Sequence, residues 1–344
     1  MRVMVGEIRA HGENSLATFV TVKHRPKYPQ NRHRKAQTDD IRDITIVIQG
    51  PIREEEDFTV ATVELYRSLF PNAPIVVSTW MGSSPRAIKA LIVRGCEIVM
   101  NSFPEVPGPY NVNLQILSTA AGLDRASKLG LPFVVKTRSD QRFHHNYSLS
   151  FMKRMLQLFP IDEPYLRAQR KRILTSSMGS FLYRLYGLTD MFQFGAIEDL
   201  LAFWSPSLDT RLEEEIEPRK VSTLRELALR RKGEVYLMAS FLDRTGSRTK
   251  WSLKDYWKAV AERFVVVDSS SLDLFWPKYS HLEDRWADYT GSPSLSQIDM
   301  PTWFSLQSGS LIADEEILDQ PLSEVGPVLS TENSPELWEF GRFG

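Results

Sequence analysis

The chain has 344 residues, 42% hydrophobic and 25% charged, enough apolar material for a sizeable core in one elaborated domain or two. Its 42 Lys and Arg balance 43 Asp and Glu for a net charge of −1, which excludes a nucleic-acid binder driven by a global positive field. One cysteine, Cys96, excludes an intrachain disulfide and a cysteine-rich metal site, and no run reaches the ~18 to 20 apolar residues of a membrane span.

Glu7, Arg9 and Glu13 interrupt the apolar start, which therefore reads poorly as a signal peptide. The expected location is cytoplasmic, with at most peripheral contact at the inner face of a membrane. Residues 1–40 read as a flexible basic arm, because the stretch from 23 to 40 is polar and has almost no apolar anchors. Its bases, among them Arg25, Arg32 and Arg34, suit a solvated tail, with contact to anionic lipid or RNA as the alternative.

From residue 41 the pattern alternates. Ile44 to Ile48 is a β-branched apolar run, the mark of a strand buried on both faces, and it ends at the turn Gln49-Gly50-Pro51. A helix is predicted over 57–70, a strand over 75–80, and a helix over 85–93 with Ser84 as cap and Gly95 as stop. A strand over 97–103, a long helix over 111–129 and a strand over 133–137 follow. Right-handed crossovers turn such a β-α series into a mainly parallel, twisted α/β sheet with helices on both faces. The second half is less regular: strands near 172–177, 191–194 and 264–268, helices near 150–158, 196–204 and 235–241, and a charged helix from 209 to 231. Cys96 reads as a small buried hydrophobe. The main body is set at 41–290, divided after residue 145, with 291–344 an irregular extension.

Ligands of a parallel sheet bind beyond the carboxyl ends of its strands, and here all four ends are polar: Gln49-Gly50, Ser78-Thr79, Asn101-Ser102 and Arg138-Ser139-Asp140. Asp140 can hold a divalent cation, since Mg²⁺ needs only one or two protein carboxylates when phosphates complete its shell. Arg138 can instead grip a diphosphate through paired hydrogen bonds, and a plain strand-ending Arg–Asp pair is the third alternative. Gln49 carries both a donor and an acceptor at the end of the first strand and Gly50 admits close backbone approach, with an ordinary turn as the alternative. Of Asn111 and Asn113, one serves as the cap of the long helix and the other is open to phosphate or sugar hydroxyls. For a base, Asp190 is the first choice because it stands beside Phe192 and Phe194. Glu234 is the second, with Glu198 and Asp199 behind it. Only one of His144 and His145 can face Asp140, and Trp276, Tyr279 and Trp286 are aromatic platforms or packing.

Thr45 to Ile52, Ser78-Thr79-Trp80, Asn111-Val112-Asn113, Lys136 to Asp140, Asp190 to Gly195 and Glu198-Asp199-Leu200 together resemble the WavE lipopolysaccharide-synthesis family over roughly 44–245. The resemblance implies a nucleotide-diphosphosugar transferase (GT-A-type) fold and a glycosyltransferase in surface-polysaccharide or lipopolysaccharide core assembly. Its partners would be a nucleotide-sugar donor, with Gln49, Gly50, Thr79, Asn111, Asn113, Arg138 and Asp140 as its contacts, and a glycan or glycolipid acceptor. A Mg²⁺ or Mn²⁺ cofactor at Asp140 is expected, although metal-dependent enzymes of this fold often carry a second acid where Arg138 stands. Other nucleotide-using α/β enzymes, such as nucleotidyltransferases, are disfavoured by the lack of a Gly-rich phosphate loop. A non-catalytic assembly protein of the same fold is the remaining alternative.

Overall fold

The computed structural model describes residues 23–26, 28, 38–162, 168–212, 215, 221–278 and 292–325. The apolar runs form β1 (Ile44–Gln49) and, after α1 (Phe58–Leu69), β2 (Ile75–Trp80); every residue of both strands is buried. α2 (Pro85–Val93) begins where Ser84 accepts the Ala87 N–H, with Pro85 in the first turn, where its missing N–H costs nothing. Gly95, at φ +75°, ends it and turns the chain into β3 (Glu97–Asn101). Cys96 is buried at this turn, and burial pushes its thiol up to about 11.

α3 (Val112–Ser127) leads to β4 (Phe133–Arg138). Then come β5 (Arg142–Phe143), α4 (Ser148–Leu158), β6 (Ile173–Ser176), β7 (Gln193–Ala196), α5 (Ile197–Phe203), α6 (Leu224–Leu229), α7 (Gly233–Arg244), α8 (Leu253–Arg263), β8 (Phe264–Val267), β9 (Leu274–Phe275), α9 (Met300–Gln307) and α10 (Leu322–Val325). The main sheet has the order β3-β2-β1-β4-β7-β6-β8, and β5 pairs with β9 in a separate ribbon. Every pairing in the main sheet is parallel except the two made by β7.

Helices cover both faces. Val47 and Ser78 lie under α3 so closely that a Cβ on Gly122 would stand 2.7 Å from Val47 Cγ1 and 3.0 Å from Ser78 Cβ. Lys136 is the register partner of Val47 and shares that face, where it meets Trp204 at the end of α5. On the other face Tyr66 of α1 sits beside Thr137 and stacks 4.5 Å from Phe143. The α/β class expected from the alternating pattern is the one observed. No helix among the described residues is long and apolar enough to cross a membrane.

Several boundaries differ from expectation. Where one charged helix was predicted over 209–231, the described residues hold only the six-residue α6. α8 was not predicted, although Leu253, Tyr256, Trp257, Val260 and Ala261 repeat at helical spacing behind the Ser252 cap. Part of the C-terminal extension is packed: Trp303 of α9 is fully buried and donates to the Phe264 carbonyl at 3.1 Å. The arm also touches the body. Arg25 pairs with Asp273 at 2.7 Å, and the buried Asp39 takes the Ser150 N–H at 2.8 Å in the first turn of α4. Asp39 thus caps a helix more than a hundred residues away, which draws the edge of the folded body ahead of Ile41.

Gly122→Ala decides between two opposed effects. Ala favours a helix interior by roughly 0.8–1 kcal/mol, but the added methyl must displace the sheet, a strain of roughly 1–3 kcal/mol. A net loss in thermal and urea melts is expected. Asp39→Ala should cost about 1–2 kcal/mol in the same melts, because two donors at the start of α4 lose their acceptor.

Candidate active site

Lys136 of β4 pairs with Gln193 of the reversed β7, so the residues ahead of β7 arrive at the carboxyl end of β4 and those after it leave at the amino end. Asp190 is thereby delivered to Arg138-Ser139-Asp140. Glu198 and Asp199 are carried to the opposite edge of the sheet, where Asp199 takes the Arg170 and Lys171 N–H groups at 2.7 and 2.8 Å and Glu198 pairs with Arg170. Those two acids serve structure and lie away from the site.

Two buried side chains hold the segment before β7. Lys136, fully buried, donates Nζ to the Asp190 carbonyl at 2.7 Å, with its ammonium 4.4 Å from the Trp204 ring centroid. Thr175 Oγ1 reaches the Thr189 and Phe192 carbonyls, 2.9 Å to each. Burial pushes Lys136 down to about 7 in spite of the nearby Asp190 carboxylate. Burial, with Glu234 adding like charge, raises the Asp190 carboxyl, and Lys136 and Arg138 pull against that rise. Glu234 reaches this neighbourhood from the first turn of α7, where Arg184 donates to it at 3.1 Å. Both acids chosen as candidate bases therefore share one locality. Lys136 was not singled out, although a lysine inside an apolar strand is the one signal the sequence offered.

At the end of β4 the Arg138 guanidinium forks onto both Asp140 oxygens, Nε at 3.0 Å and the second nitrogen at 3.3 Å, with its Cζ 5.1 Å from the Trp276 ring. Burial would raise the Asp140 carboxyl. The Arg138 charge and hydrogen bonds, with the Arg53 charge, outweigh it and hold the group below the ordinary carboxylate range. Trp276 is buried on Arg138 and presents no open platform for a sugar; Tyr279 and Trp286 lie outside the described residues. His144 is buried, 6.5 Å from the Phe275 ring, in the β5–β9 ribbon.

The first turn is stitched to this end. Ser139 N–H donates to the Gln49 carbonyl at 2.9 Å and Ser139 Oγ to the Pro51 carbonyl at 2.6 Å. Gly50 needs to be glycine: φ is +120°, and a Cβ would meet Ser139 Oγ at 2.9 Å. Gln49 donates Nε2 to Ser118 Oγ at 2.8 Å, and its buried Oε1 has no hydrogen-bond partner among the described residues. An orphaned acceptor of this kind costs roughly 1–3 kcal/mol.

Of three expected ligand contacts two are engaged elsewhere, and the third keeps its place at the helix cap. Thr79 is fully buried with its hydroxyl 3.1 Å from Ser83 Oγ, so it faces the following turn. Asn113 spends its amide on the backbone: Nδ2 reaches the Val106 and Asp209 carbonyls and Oδ1 takes the Asp209 N–H at 2.7 Å. It clamps the 205–211 loop to α3. Asn111 stands at the cap position with φ +61°, exposed and with no side-chain cap bond.

For a Mg²⁺ or Mn²⁺ ion the end of β4 offers one carboxylate, Asp140. Such a cation gathers several oxygens at about 2.1 Å, and here both oxygens of the one carboxylate are spent on Arg138. Among the described residues no three His, Cys, Asp or Glu side chains come together.

Among solved structures, glucosyl-3-phosphoglycerate synthase from Mycobacterium tuberculosis, in complex with Mn²⁺, uridine diphosphate and glucosyl-3-phosphoglycerate, matches with a TM-score of 0.38 and 14% identity over 79% of this chain and 81% of its own. Its complex with Mg²⁺ and uridine diphosphate gives a TM-score of 0.37 and 15% identity over the same shares. Mannose-1-phosphate geranyltransferase from Thermus thermophilus matches with a TM-score of 0.24 and 11% identity over 39% of this chain and 41% of its own. No curated protein sequence matches the chain. The family model for WavE lipopolysaccharide synthesis matches residues 44–250, more than half of the sequence, and the chain belongs to that family.

Proposed function

We propose that the chain is a GT-A-type glycosyltransferase moving a sugar from a nucleotide-diphosphate donor to a surface-polysaccharide or lipopolysaccharide core acceptor. One observation carries the reading. A buried carboxyl held above its ordinary range, Asp190, lies within electrostatic reach of Arg138 at the carboxyl end of β4. That joins a proton acceptor to a diphosphate-gripping cation at the edge where parallel sheets take ligands. Membership in the WavE family supports the acceptor class.

In this reading the donor lies across the ends of β1 and β4. Gln49 and Gly50 lie under the nucleoside at the end of β1, where Gly50 lets the backbone close on it, and Arg138 meets the diphosphate. The acceptor hydroxyl lies against Asp190. As its oxygen bonds to the anomeric carbon, its proton passes to the Asp190 carboxylate. The bond from that carbon to the diphosphate oxygen breaks, and the charge gained by the leaving group falls toward Arg138. A glycolipid acceptor would be met at the inner face of the membrane through peripheral contact.

Asp190→Asn should leave nucleoside diphosphate binding intact and lower transfer by roughly 10² to 10⁴, the usual worth of a general base. Transfer or slow donor hydrolysis across a panel of nucleotide sugars reads it out, and near-normal turnover would move the role to Glu234. A pH profile supplies a second check. Asp190 must be ionised to accept a proton, so kcat/KM should fall as pH drops through its raised pKa. Lys136 lowers that pKa, so Lys136→Met should carry the acid limb to higher pH. A limb that stays in place or moves down would remove Asp190 from the role.

A further inference from the structure

A second cleft lies along α7. The chain leaves that helix at Arg244 and runs back beside it, past a rise of about 18 Å for its twelve residues. By Trp251 it has returned to Arg231, just ahead of the helix, and the Arg231 Cζ stands 4.9 Å from the Trp251 ring centroid. Both residues are held in the left-handed region, at φ +49° and +55°, where arginine and tryptophan are uncommon. The return leaves a cleft of about 510 Å³ lined by Arg231, Asp243, Arg248, Thr249 and Trp251, a volume in the range of small-molecule sites.

The charged side chains around the cleft are engaged with the protein itself. Arg225 forks onto Asp319 at 2.7 and 2.9 Å, Asp255 accepts from Tyr186 Oη at 2.6 Å, and Arg244 donates to Ala202, Ser205 and Ser240. The guanidiniums of Arg231 and Arg248 make no hydrogen bond or ion pair among the described residues. Asp243 takes the Thr249 N–H and hydroxyl on Oδ1 alone, at 2.9 and 3.1 Å, which leaves Oδ2 open to a further donor. The cleft thus offers two arginine forks to an anion, one of them braced on an indole, and a carboxylate oxygen to hydroxyl groups. A sugar that carries one acidic group meets both demands, whereas Asp243 would repel a chain of phosphates.

The cleft is also joined to the locality of the candidate base. Trp251 packs edge-on to Tyr186 at 5.1 Å, and Arg184, two residues before Tyr186, donates to Glu234 at 3.1 Å. Glu234 follows Arg231 by three residues, at most about 11 Å of chain, and its charge is felt at Asp190. Resting on the transferase reading, we infer that this cleft is an acceptor subsite for an anionic carbohydrate, a glycan bearing carboxylate or phosphate. It holds the acceptor behind the hydroxyl that meets Asp190. Its lining runs from the residue group ahead of α7 to the last turn of that helix, which suits more than one sugar ring.

Calorimetric titration of trigalacturonate, glucose 6-phosphate, neutral maltotriose and inorganic phosphate into the full chain tests this. At least one of the two anionic sugars should bind about tenfold or more tighter than maltotriose and than inorganic phosphate, and the better of the two tells carboxylate from phosphate. Arg231→Ala and Arg248→Ala should each weaken that binding about tenfold, and Arg231→Lys, which keeps the charge and loses the fork, should weaken it too. Saturating uridine diphosphate should leave the affinity unchanged within about twofold, since ligands at separate, uncoupled sites do not displace each other. Circular dichroism melts establish that each variant is folded, and Arg248, being exposed, can be replaced without opening the core. Anionic-sugar binding that survives both alanine variants, or that uridine diphosphate displaces, overturns the inference and leaves the transferase reading standing. So does inorganic phosphate bound as tightly as either sugar, the mark of an ion site only, and so does absence of binding by every probe. Sugar binding lost in Arg248→Ala, in a chain that binds no uridine or guanosine diphosphate and hydrolyses no nucleotide sugar, keeps the carbohydrate site and sinks the transferase reading.

Discussion

The reversed strand β7, held between β4 and β6, is the constraint from which the site follows. Its direction returns the chain to the carboxyl edge of β4 just before Gln193 and puts Asp190 opposite the Arg138 turn. A parallel strand in that slot would have delivered Glu198 and Asp199 instead. The slot is held by side chains that also define its neighbours. Lys136 ties β4 to the Asp190 carbonyl, and Thr175 ties β6 to the carbonyls of Thr189 and Phe192. Strand alternation sets Lys136 and Arg138 on one face of β4, two residues apart, the first inside the molecule and the second at its rim.

That spacing produces a steep electrostatic gradient. The inner lysine is driven toward neutrality by burial, and Asp190 beside it is driven toward the protonated form by the same cause. Asp140 is also buried, yet its partner arginine keeps it an anion. Two aspartates near one arginine are thereby separated in behaviour, one suited to taking up a proton and the other to holding a cation in place.

Much of the framework was legible because it rests on short-range rules. The β-branched runs at 44–48 and 75–80, the Ser84 cap and the Gly95 stop are local signals, and they formed where expected. The polar strand ends mark the edge at which Asp190 meets the Arg138 turn. What stayed hidden depends on contacts between distant segments. Asn113 looks like a ligand-facing amide until Val106 and the 205–211 loop, almost a hundred residues later, take its hydrogen bonds. Lys136 is the exception, since a charge in the middle of an apolar strand is a local anomaly.

The lone thiol has a practical consequence. Cys96 lies behind α2, and with its pKa pushed up to about 11 only roughly one molecule in 10⁴ carries a thiolate at neutral pH. Alkylating reagents act on thiolate, so the native chain is close to invisible to maleimides while it stays folded. A cysteine introduced at Ile312, 90% exposed, would react alone, with no need to remove the natural one first. The fold thus comes with a silent background for fluorescent or spin-label spectroscopy, and the appearance of a second labelling event would itself report that the α2–β3 corner had opened.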